Sequence, residues 1–242
     1  MDKEKSLNSV NIAPEDAVHV LDEGQGWIAL LRKSGEEVDI VNAARVSFGK
    51  MRTEMNDKDV ALLKFLIDEK HFAPFEHITF TFLVHCPLFV RSQWHRHRTM
   101  SYNEISRRYT EVDMELYAPT KFRKQATDNK QSSLDDEFID PSAEKAAASM
   151  IKNAHELLLT VYNTLLKATD GVCREQARGI LPQNMMTTFY ATVNFRNLLH
   201  FLSLRMDKHA QWEIRQYANA IHDMLVPMFP NVMKAFDEGR IK

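Results

Sequence analysis

The chain has 242 residues, of which 44% are hydrophobic and 26% are charged. Such a composition is typical of globular proteins and excludes disordered and fibrous classes, and a chain of this length can bury a core without disulfide bonds or a structural metal. The formal net charge of -2 argues against a nucleic-acid coat protein or a polybasic membrane binder, although it leaves local charged patches open.

The numbers and spacing of cysteine and glycine residues further limit the possible classes of protein. The two cysteines, Cys86 and Cys173, match no zinc or redox spacing, so we expect buried free thiols and a cytoplasmic location. The N-terminus lacks the apolar segment of a signal peptide, and the most apolar stretch, residues 78–90, is too short to span a bilayer. Only 7 glycines occur and no glycine-rich phosphate loop is present, so a nucleotide would have to be held by side chains.

Hydrophobic periodicity and turn residues predict the elements of the first half. In chain order these are a polar tail at 1–15, hairpin strands at 17–21 and 27–31, a helix at 56–70 and a strand at 76–85. Pro87 suits the first position of a helix over 88–97. Such a helix would place Gln93, Arg96 and His97 on one face, because residues three and four apart are neighbours on a helix.

The second half is predicted to be mainly helical. The patterns indicate a mobile polar loop at 121–138, a long helix from 141 to about 168, a short helix at 174–180, a strand at 187–193, a helix at 196–206 and a last helix at 210–225. No repeat or linker divides the chain. We therefore predict one α+β domain over residues 16–242, in which a small, mostly antiparallel sheet packs with several helices.

Residues 91–109, RSQWHRHRTMSYNEISRRY, are the segment most indicative of function. They contain five of the fifteen arginines and a single acid, and no lysine occurs between His71 and Thr120. A solvated surface would mix lysine with arginine, whereas arginine alone favours planar, bidentate recognition of phosphate or carboxylate. The alternative is an arginine patch paired with acids from elsewhere in the fold, which is less favoured for five arginines beside one acid.

Three other groups in this segment have alternative interpretations. Glu104 could orient an arginine or a ribose hydroxyl, and a purely structural ion pair fits its spacing equally well. Ser106 is expected to be a hydrogen-bonding contact, because arginine neighbours cannot accept the proton of a nucleophile. His95 and His97 point apart on a helix and lack a completing carboxylate or cysteine, so no metal site is predicted.

A second group of polar residues occurs within apolar runs of the C-terminal third. It comprises Arg174, Arg178, Asn194, Arg196, His200, Arg205 and His209. Each could be an ordinary surface charge or a cation at a helix C-terminus. The surrounding apolar residues favour a buried site instead.

The sequence also resembles a known family. Arg96-His97-Arg98 followed seven residues later by Ser106 matches the RHRxxxxxxxS signature of flavin-dependent thymidylate synthases, and the string RHRTMSYNEISRRY extends the match. Further similar segments are NAARVSF at 42–48, PFEH at 74–77, ARGILP at 177–182 and the stretch at 192–215. The resemblance thus covers nearly the whole chain beyond the tail.

This resemblance implies a homotetramer with active sites between subunits. The enzyme would methylate dUMP to dTMP, taking the carbon from 5,10-methylenetetrahydrofolate and the reducing equivalents from NADPH through FAD, and release tetrahydrofolate. The family's dUMP contacts correspond to Gln93, Arg96, Glu104, Ser106, Arg107, Arg108, Arg178 and Arg205. Its FAD contacts correspond to Ser47, His71, Ala73, Arg96, His97, Arg98, Glu104, Asn194, Arg196 and His200.

Arg205 is the catalytic residue that the resemblance implies. It matches an arginine that favours ionisation of the uracil ring, so no covalent enzyme nucleophile is expected. Three positions differ from, or vary within, the family pattern. Arg107 often corresponds to a small residue, Ala73 replaces a hydroxyl-bearing residue of some members, and His200 varies between histidine and asparagine.

Two other functions are considered on the residues alone. Arginines interleaved with Trp94, Tyr102 and Tyr109 could bind single-stranded nucleic acid through phosphate contacts and base stacking. The net charge of -2 and the second polar group argue against that function. A serine hydrolase based on Ser106 lacks a general base and is the weakest alternative.

Overall fold

The computed structural model describes residues 13–111, 114–127, 129–130 and 133–240, so most of the predicted tail at 1–15 lies outside the described residues. The elements are, in chain order, strands β1 (Val18–His19) and β2 (Trp27–Lys33), helices α1 (Glu37–Arg45) and α2 (Asp57–Asp68), strand β3 (Thr79–Pro87), helix α3 (Leu88–Trp94), strands β4 (Ser101–Glu104), β5 (Arg123–Gln125) and β6 (Ser133–Phe138), helices α4 (Pro141–Lys167) and α5 (Arg174–Ala177), strand β7 (Met186–Asn194), and helices α6 (Phe195–Arg205), α7 (Trp212–Leu225) and α8 (Pro230–Arg240). Short 3-10 helices lie at Asp22–Gly24, Val46–Phe48, Ala73–His77 and Arg178–Ile180. The predicted α+β class is confirmed.

A five-stranded antiparallel sheet forms the centre of the fold, with strand order β1-β2-β3-β7-β4. Strands β3 and β7 pair in continuous register from Thr79 opposite Asn194 to Pro87 opposite Met186. The predicted hairpin of β1 and β2 and the predicted strand β7 are confirmed. Strand β3 begins three residues later than predicted, because the preceding chain forms the 3-10 helix Ala73–His77.

Aromatic side chains join the sheet to the helices. Phe80 of β3, Phe195 at the start of α6 and Phe229 before α8 are fully buried, and their ring centroids lie 4.8 to 5.5 Å apart. Burial of each such ring contributes about 1.5–3 kcal/mol. The cluster fixes the start of α6 against the sheet, and thereby the position of the polar residues that α6 carries.

Helix α3 is shorter than the prediction over 88–97. It ends at Trp94, so Arg96 and His97 lie in the turn that follows, and Pro87 is its N-cap residue instead of its first residue. The Tyr102 hydroxyl lies 3.0 Å from the Trp94 carbonyl oxygen and 2.9 Å from that of His97. A side chain from β4 therefore donates to carbonyls at the end of α3 and in the turn that follows it.

The polar segment at 121–138, predicted to be a mobile loop, contains the two-stranded antiparallel sheet of β5 and β6. Arg123 of β5 forms an ion pair with Glu213 of α7 and lies 4.3 Å from the centroid of the Trp212 ring. Asp135 of β6 pairs with Arg215 of α7. Since β5 is entirely polar and Leu134 and Phe138 are the only apolar residues of β6, these strands lack the regular apolar alternation that indicates a strand in a sequence.

Helix α8 was not predicted, because the last helix expected from the sequence ends at 225. It buries Val232, Met233, Ala235 and Phe236. Its N-terminus is capped by the buried carboxylate of Glu37 in α1, which accepts hydrogen bonds from the backbone N–H groups of Asn231 (2.8 Å) and Val232 (2.9 Å) and from the Asn231 side chain (2.7 Å). A carboxylate is favourable at this end of a helix dipole.

The remaining predictions on elements are largely confirmed. Helices α2, α4, α5, α6 and α7 lie where the sequence predicted them, and Asn56 and Asp140 cap α2 and α4 through their side chains. Cys86 is buried as expected, whereas Cys173 is exposed. Among the described residues, no helix is both long and apolar enough to cross a bilayer.

Candidate active site

Strand β4, at one end of the sheet, delivers part of the arginine-rich segment to a cavity of about 650 Å³. Glu104 ends this strand opposite Phe189 of β7, and the Ile105 N–H continues the pairing with the Thr188 carbonyl at 3.0 Å. We call this cavity the edge pocket. Its polar lining includes Arg91, Glu104, Ser106, Arg107, Arg178 and Thr187.

The Glu104 carboxylate is held at the centre of the edge pocket's polar contacts. Its Oε1 accepts a hydrogen bond of 2.7 Å from the Thr187 hydroxyl and lies 3.1 Å from Arg91 Nε. Arg178 lines the pocket from the 3-10 helix that follows α5. Three arginines and one fixed carboxylate can bind an anion that also offers hydroxyl or N–H donors.

Arg205 lies in a second polar cluster, which consists of Gln93, His97, His200 and Arg205. The Arg205 Nε donates to His97 Nε2 at 3.0 Å, and its Nη2 donates to the Gln93 carbonyl at 3.1 Å. The His97 and His200 rings are 6.2 Å apart. We call this group the His97 cluster.

Burial, together with the charges of the neighbouring Arg205 and His200, lowers the pKa of His97 to about 4. The ring is therefore neutral at neutral pH. Since its Nε2 accepts the Arg205 hydrogen bond, its proton lies on Nδ1. Burial and the nearby Arg96 also lower the pKa of Arg205, but an arginine remains a cation under these conditions.

A second cavity, of about 670 Å³, lies between α6, α8 and the end of α2. We call it the α6 cavity. Its cationic and imidazole side chains are Lys70, Arg196, His200 and Arg240, beside the rings of Phe72 and Phe236. Of the described residues that line it, none is acidic.

The predicted site residues are thus only partly brought together within one chain. The edge pocket contains Glu104, Ser106, Arg107 and Arg178, the His97 cluster contains Gln93, His97, His200 and Arg205, and the α6 cavity contains Arg196 and His200. Arg108 pairs with Glu175 at the pocket wall. The residues outside these three places are Ser47, His71, Ala73, Arg96 and Arg98, all of which are exposed, and Asn194, which caps α6.

Within one chain, the C-terminal polar group does not form the buried site that its apolar sequence neighbours predicted. Arg174, Arg178, Arg196, His200 and His209 are exposed, and Arg205 is only half-buried. Their apolar sequence neighbours, such as Leu198 and Phe201, face the opposite side of α6 and fill the core. An amphipathic helix separates the two kinds of side chain even where the sequence interleaves them.

Sequence reasoning missed several lining residues. Arg91 and Thr187 contact Glu104, and Lys70 and Arg240 line the α6 cavity. Arg91 opens the arginine-rich segment and so carried a detectable signal. Thr187 and Arg240 carried none, because strand pairing and the position of α8 bring them to these cavities.

The structure does not support the nucleic-acid alternative. Trp94 is 1% exposed and packs between Phe201 and Tyr217, so it offers no face to a base. Tyr102 stacks on His95 at 4.2 Å. Of the three interleaved aromatics, Tyr109 is the one with an exposed ring.

The hydrolase alternative also lacks support. The Ser106 hydroxyl oxygen accepts a 3.3 Å hydrogen bond from the Arg108 N–H. No histidine is among the described residues that line the edge pocket. The serine therefore has no general base in that pocket.

Comparisons with known proteins identify the family of the chain. Residues 29–231 match the family model described as "Thymidylate synthase complementing protein". A flavin-dependent thymidylate synthase from Thermosipho africanus is 44% identical over 88% of this chain and 91% of its own, and one from Thermus thermophilus is 42% identical over 91% of this chain and 78% of its own. The crystal structure of a UMP/dUMP methylase from Streptomyces cacaoi bound with 5-Br dUMP superposes with a TM-score of 0.79 at 31% identity, covering 89% of this chain and 96% of that one. The chain belongs to the family of flavin-dependent thymidylate synthases.

Proposed function

We propose that this protein catalyses the reductive methylation of dUMP to dTMP. The carbon comes from 5,10-methylenetetrahydrofolate and the reducing equivalents come from NADPH through FAD, so that dUMP, methylenetetrahydrofolate, NADPH and a proton give dTMP, tetrahydrofolate and NADP⁺. The observation that carries the proposal is the edge pocket, where Glu104, Ser106, Arg107 and Arg178 line one cavity in a member of this family. A nucleotide-sized anion with hydroxyl donors suits that lining.

The nucleotide is held by complementary charge. Arg107 and Arg178 bind the phosphate of dUMP, with Arg108 at the pocket wall, and the Ser106 hydroxyl supplies a further hydrogen bond. Glu104 accepts from the sugar or the base. Thr187 fixes this carboxylate, so little side-chain entropy is lost when the ligand binds.

Arg205 is the catalytic residue of the proposal. Its guanidinium stabilises negative charge on the uracil ring, which makes C5 nucleophilic without a covalent bond to the enzyme. Neutral His97 and the Gln93 carbonyl hold the guanidinium in place. A protonated His97 would repel Arg205, so the lowered pKa of His97 keeps this arrangement intact at neutral pH.

The chain's side chains fit FAD. The α6 cavity offers Arg196, His200, Lys70 and Arg240 without a lining carboxylate among the described residues, which suits a diphosphate in a protein that has no glycine-rich loop. His97, Arg98, Arg96 and Asn194, together with Ser47, His71, Ala73 and Glu104, would complete the cofactor contacts. When bound, FAD would supply the hydride-transfer chemistry that couples oxidation of NADPH to reduction of the transferred carbon.

Active sites between the subunits of a homotetramer form part of the proposal. Within one chain, the proposed substrate residues divide between the edge pocket and the His97 cluster. Ser47 lies in the same segment as the apolar residues Phe48 and Met51, which are 76% and 85% exposed. Of the 27 residues of α4, all of which the structure describes, only Tyr162 is buried, and Met150, Leu157 and Val161 are exposed. Such apolar surfaces indicate contacts with further copies of the chain.

The proposed function is tested by measuring dTMP formation from dUMP, methylenetetrahydrofolate and NADPH, with and without added FAD. Product that depends on FAD is the expected result. A folded protein that forms no dTMP with FAD saturating would refute the proposal.

The assembly is tested by light scattering at decreasing protein concentration while flavin absorbance is followed. We expect a tetramer whose flavin is lost as it dissociates, because the cofactor is held by side chains from more than one subunit. Full flavin occupancy in an isolated monomer would contradict the intersubunit site. We further propose that residues 16–242 form the catalytic domain and that the enzyme acts in the cytoplasm, in keeping with its unpaired Cys86 and Cys173.

A further inference from the structure

Arg91 occupies a position in the edge pocket that the family signature does not cover. It lies on α3, five residues before the signature begins at Arg96, and its side chain is 30% exposed. Its guanidinium lies against Glu104, the residue at the centre of the pocket's polar contacts. An arginine at this place can both hold Glu104 and reach a ligand.

The contact with Glu104 leaves most of the Arg91 guanidinium available. The Nε lies 3.1 Å from Glu104 Oε1, but this buried N–H is not aligned to donate a hydrogen bond. Among the described residues, no protein group contacts the terminal nitrogens of Arg91 at hydrogen-bond distance. The pair is therefore electrostatic, and four N–H groups of the fork remain for another acceptor.

The charge balance of the pocket identifies the acceptor as an anion. Arg91, Arg107 and Arg178 line the cavity with Glu104 and Glu175, and Glu175 is already paired with Arg108. With Arg107 left out of the balance, the Glu104 carboxylate faces two guanidinium groups, those of Arg91 and Arg178. A phosphate monoester is an anion that this excess of positive charge would attract, and arginine forks bind phosphate in a bidentate manner.

We propose that Arg91 is a substrate-binding residue whose terminal nitrogens contact the 5′-phosphate of the nucleotide while its Nε side holds the Glu104 carboxylate. The inference rests on the proposed function, because it names a further contact to the same nucleotide. Helix α3 then positions groups of both sites, since Arg91 lines the edge pocket and the Gln93 carbonyl of the same helix accepts a hydrogen bond from Arg205.

The experiment compares the binding of dUMP and of 2′-deoxyuridine, which lacks the phosphate, to wild-type enzyme and to Arg91→Gln and Arg91→Lys by calorimetry. Loss of charge-assisted bonds to the phosphate should weaken dUMP binding about 10- to 100-fold in Arg91→Gln. Binding of 2′-deoxyuridine should change less than about threefold. Arg91→Lys should show an intermediate loss, because it keeps the charge without the fork.

Kinetics and a control variant complete the test. The KM for dUMP should rise in Arg91→Gln while kcat stays within about threefold of the wild-type value, since binding to a remote phosphate is equal in the ground and transition states. Arg32→Gln, an exposed arginine of β2, should bind both ligands as the wild type does.

Two results would overturn the inference. An equal loss for dUMP and 2′-deoxyuridine would mean that Arg91 acts only through Glu104, and unchanged dUMP binding would mean that it does not touch the ligand. Failure of the proposed function gives a different result from failure of the Arg91 inference, because the wild-type protein itself would then show no preference for dUMP over 2′-deoxyuridine.

Discussion

Replacement of Arg205 by alanine separates catalysis from stability. The substitution removes two hydrogen bonds, to His97 Nε2 at 3.0 Å and to the Gln93 carbonyl at 3.1 Å. Each contributes about 0.5–1.5 kcal/mol, so the free energy of unfolding should fall by roughly 1–3 kcal/mol. The free energy of unfolding of a native protein is about 5–15 kcal/mol. The variant should therefore remain folded.

The effect of the same substitution on turnover should be larger. Loss of a fixed cation beside developing charge typically lowers kcat by about 10²–10³-fold. Single-turnover dTMP formation with saturating dUMP, folate, NADPH and FAD measures this step, and a thermal unfolding curve measures the cost in stability. Arg205→Lys should keep part of the rate, because lysine retains the charge but cannot bond to His97 and Gln93 in the same geometry.

Two results would contradict these expectations for Arg205→Ala. Near wild-type dTMP formation by Arg205→Ala would refute the assigned role, whatever the change in stability. A variant that unfolds at room temperature would show that the two hydrogen bonds stabilise far more than a half-buried arginine should.

Three further predictions concern stability. Glu37→Gln should lower the free energy of unfolding by about 2–4 kcal/mol, because one of the three charge-assisted bonds that cap α8 is lost and the other two are weakened. Urea unfolding measures this against the exposed control Glu54→Gln, and equal midpoints would contradict it. Lys70→Gly should raise the free energy of unfolding by about 0.5–1 kcal/mol, because Lys70, two residues after the end of α2, has a left-handed φ of 58° that favours glycine. Lys70→Ala, which keeps the strain, should give no such gain in the same assay. The lowered pKa of His97, about 4 in the folded state, means that the folded protein binds fewer protons than the unfolded chain. The free energy of unfolding should therefore fall as pH decreases from about 6.5 to 4, by at most about 1.4 kcal/mol per pH unit. A pH series of urea unfolding in which His97→Gln shows the same slope as the wild type would refute this.

The amino-acid sequence by itself determined the fold class, most elements and the family. Strands β3 and β7 and helices α2, α4, α6 and α7 were predictable, because their apolar spacing and capping residues are local properties of the chain. The sequence also predicts an anion site, since five arginines beside one acid at 91–109 leave a local excess of positive charge that an anion would balance. That site stays a prediction.

Only the tertiary structure decided how these groups are arranged. Pairing of β4 with β7 places Glu104 beside Thr187, and the Tyr102 hydroxyl of β4 donates to the carbonyl of Trp94, the last residue of α3. Helix α8 depends on Glu37, a cap almost 200 residues away in the chain. Contacts between distant residues leave no periodic trace in a sequence. Local patterns therefore predict which groups take part, and long-range packing decides which of them meet.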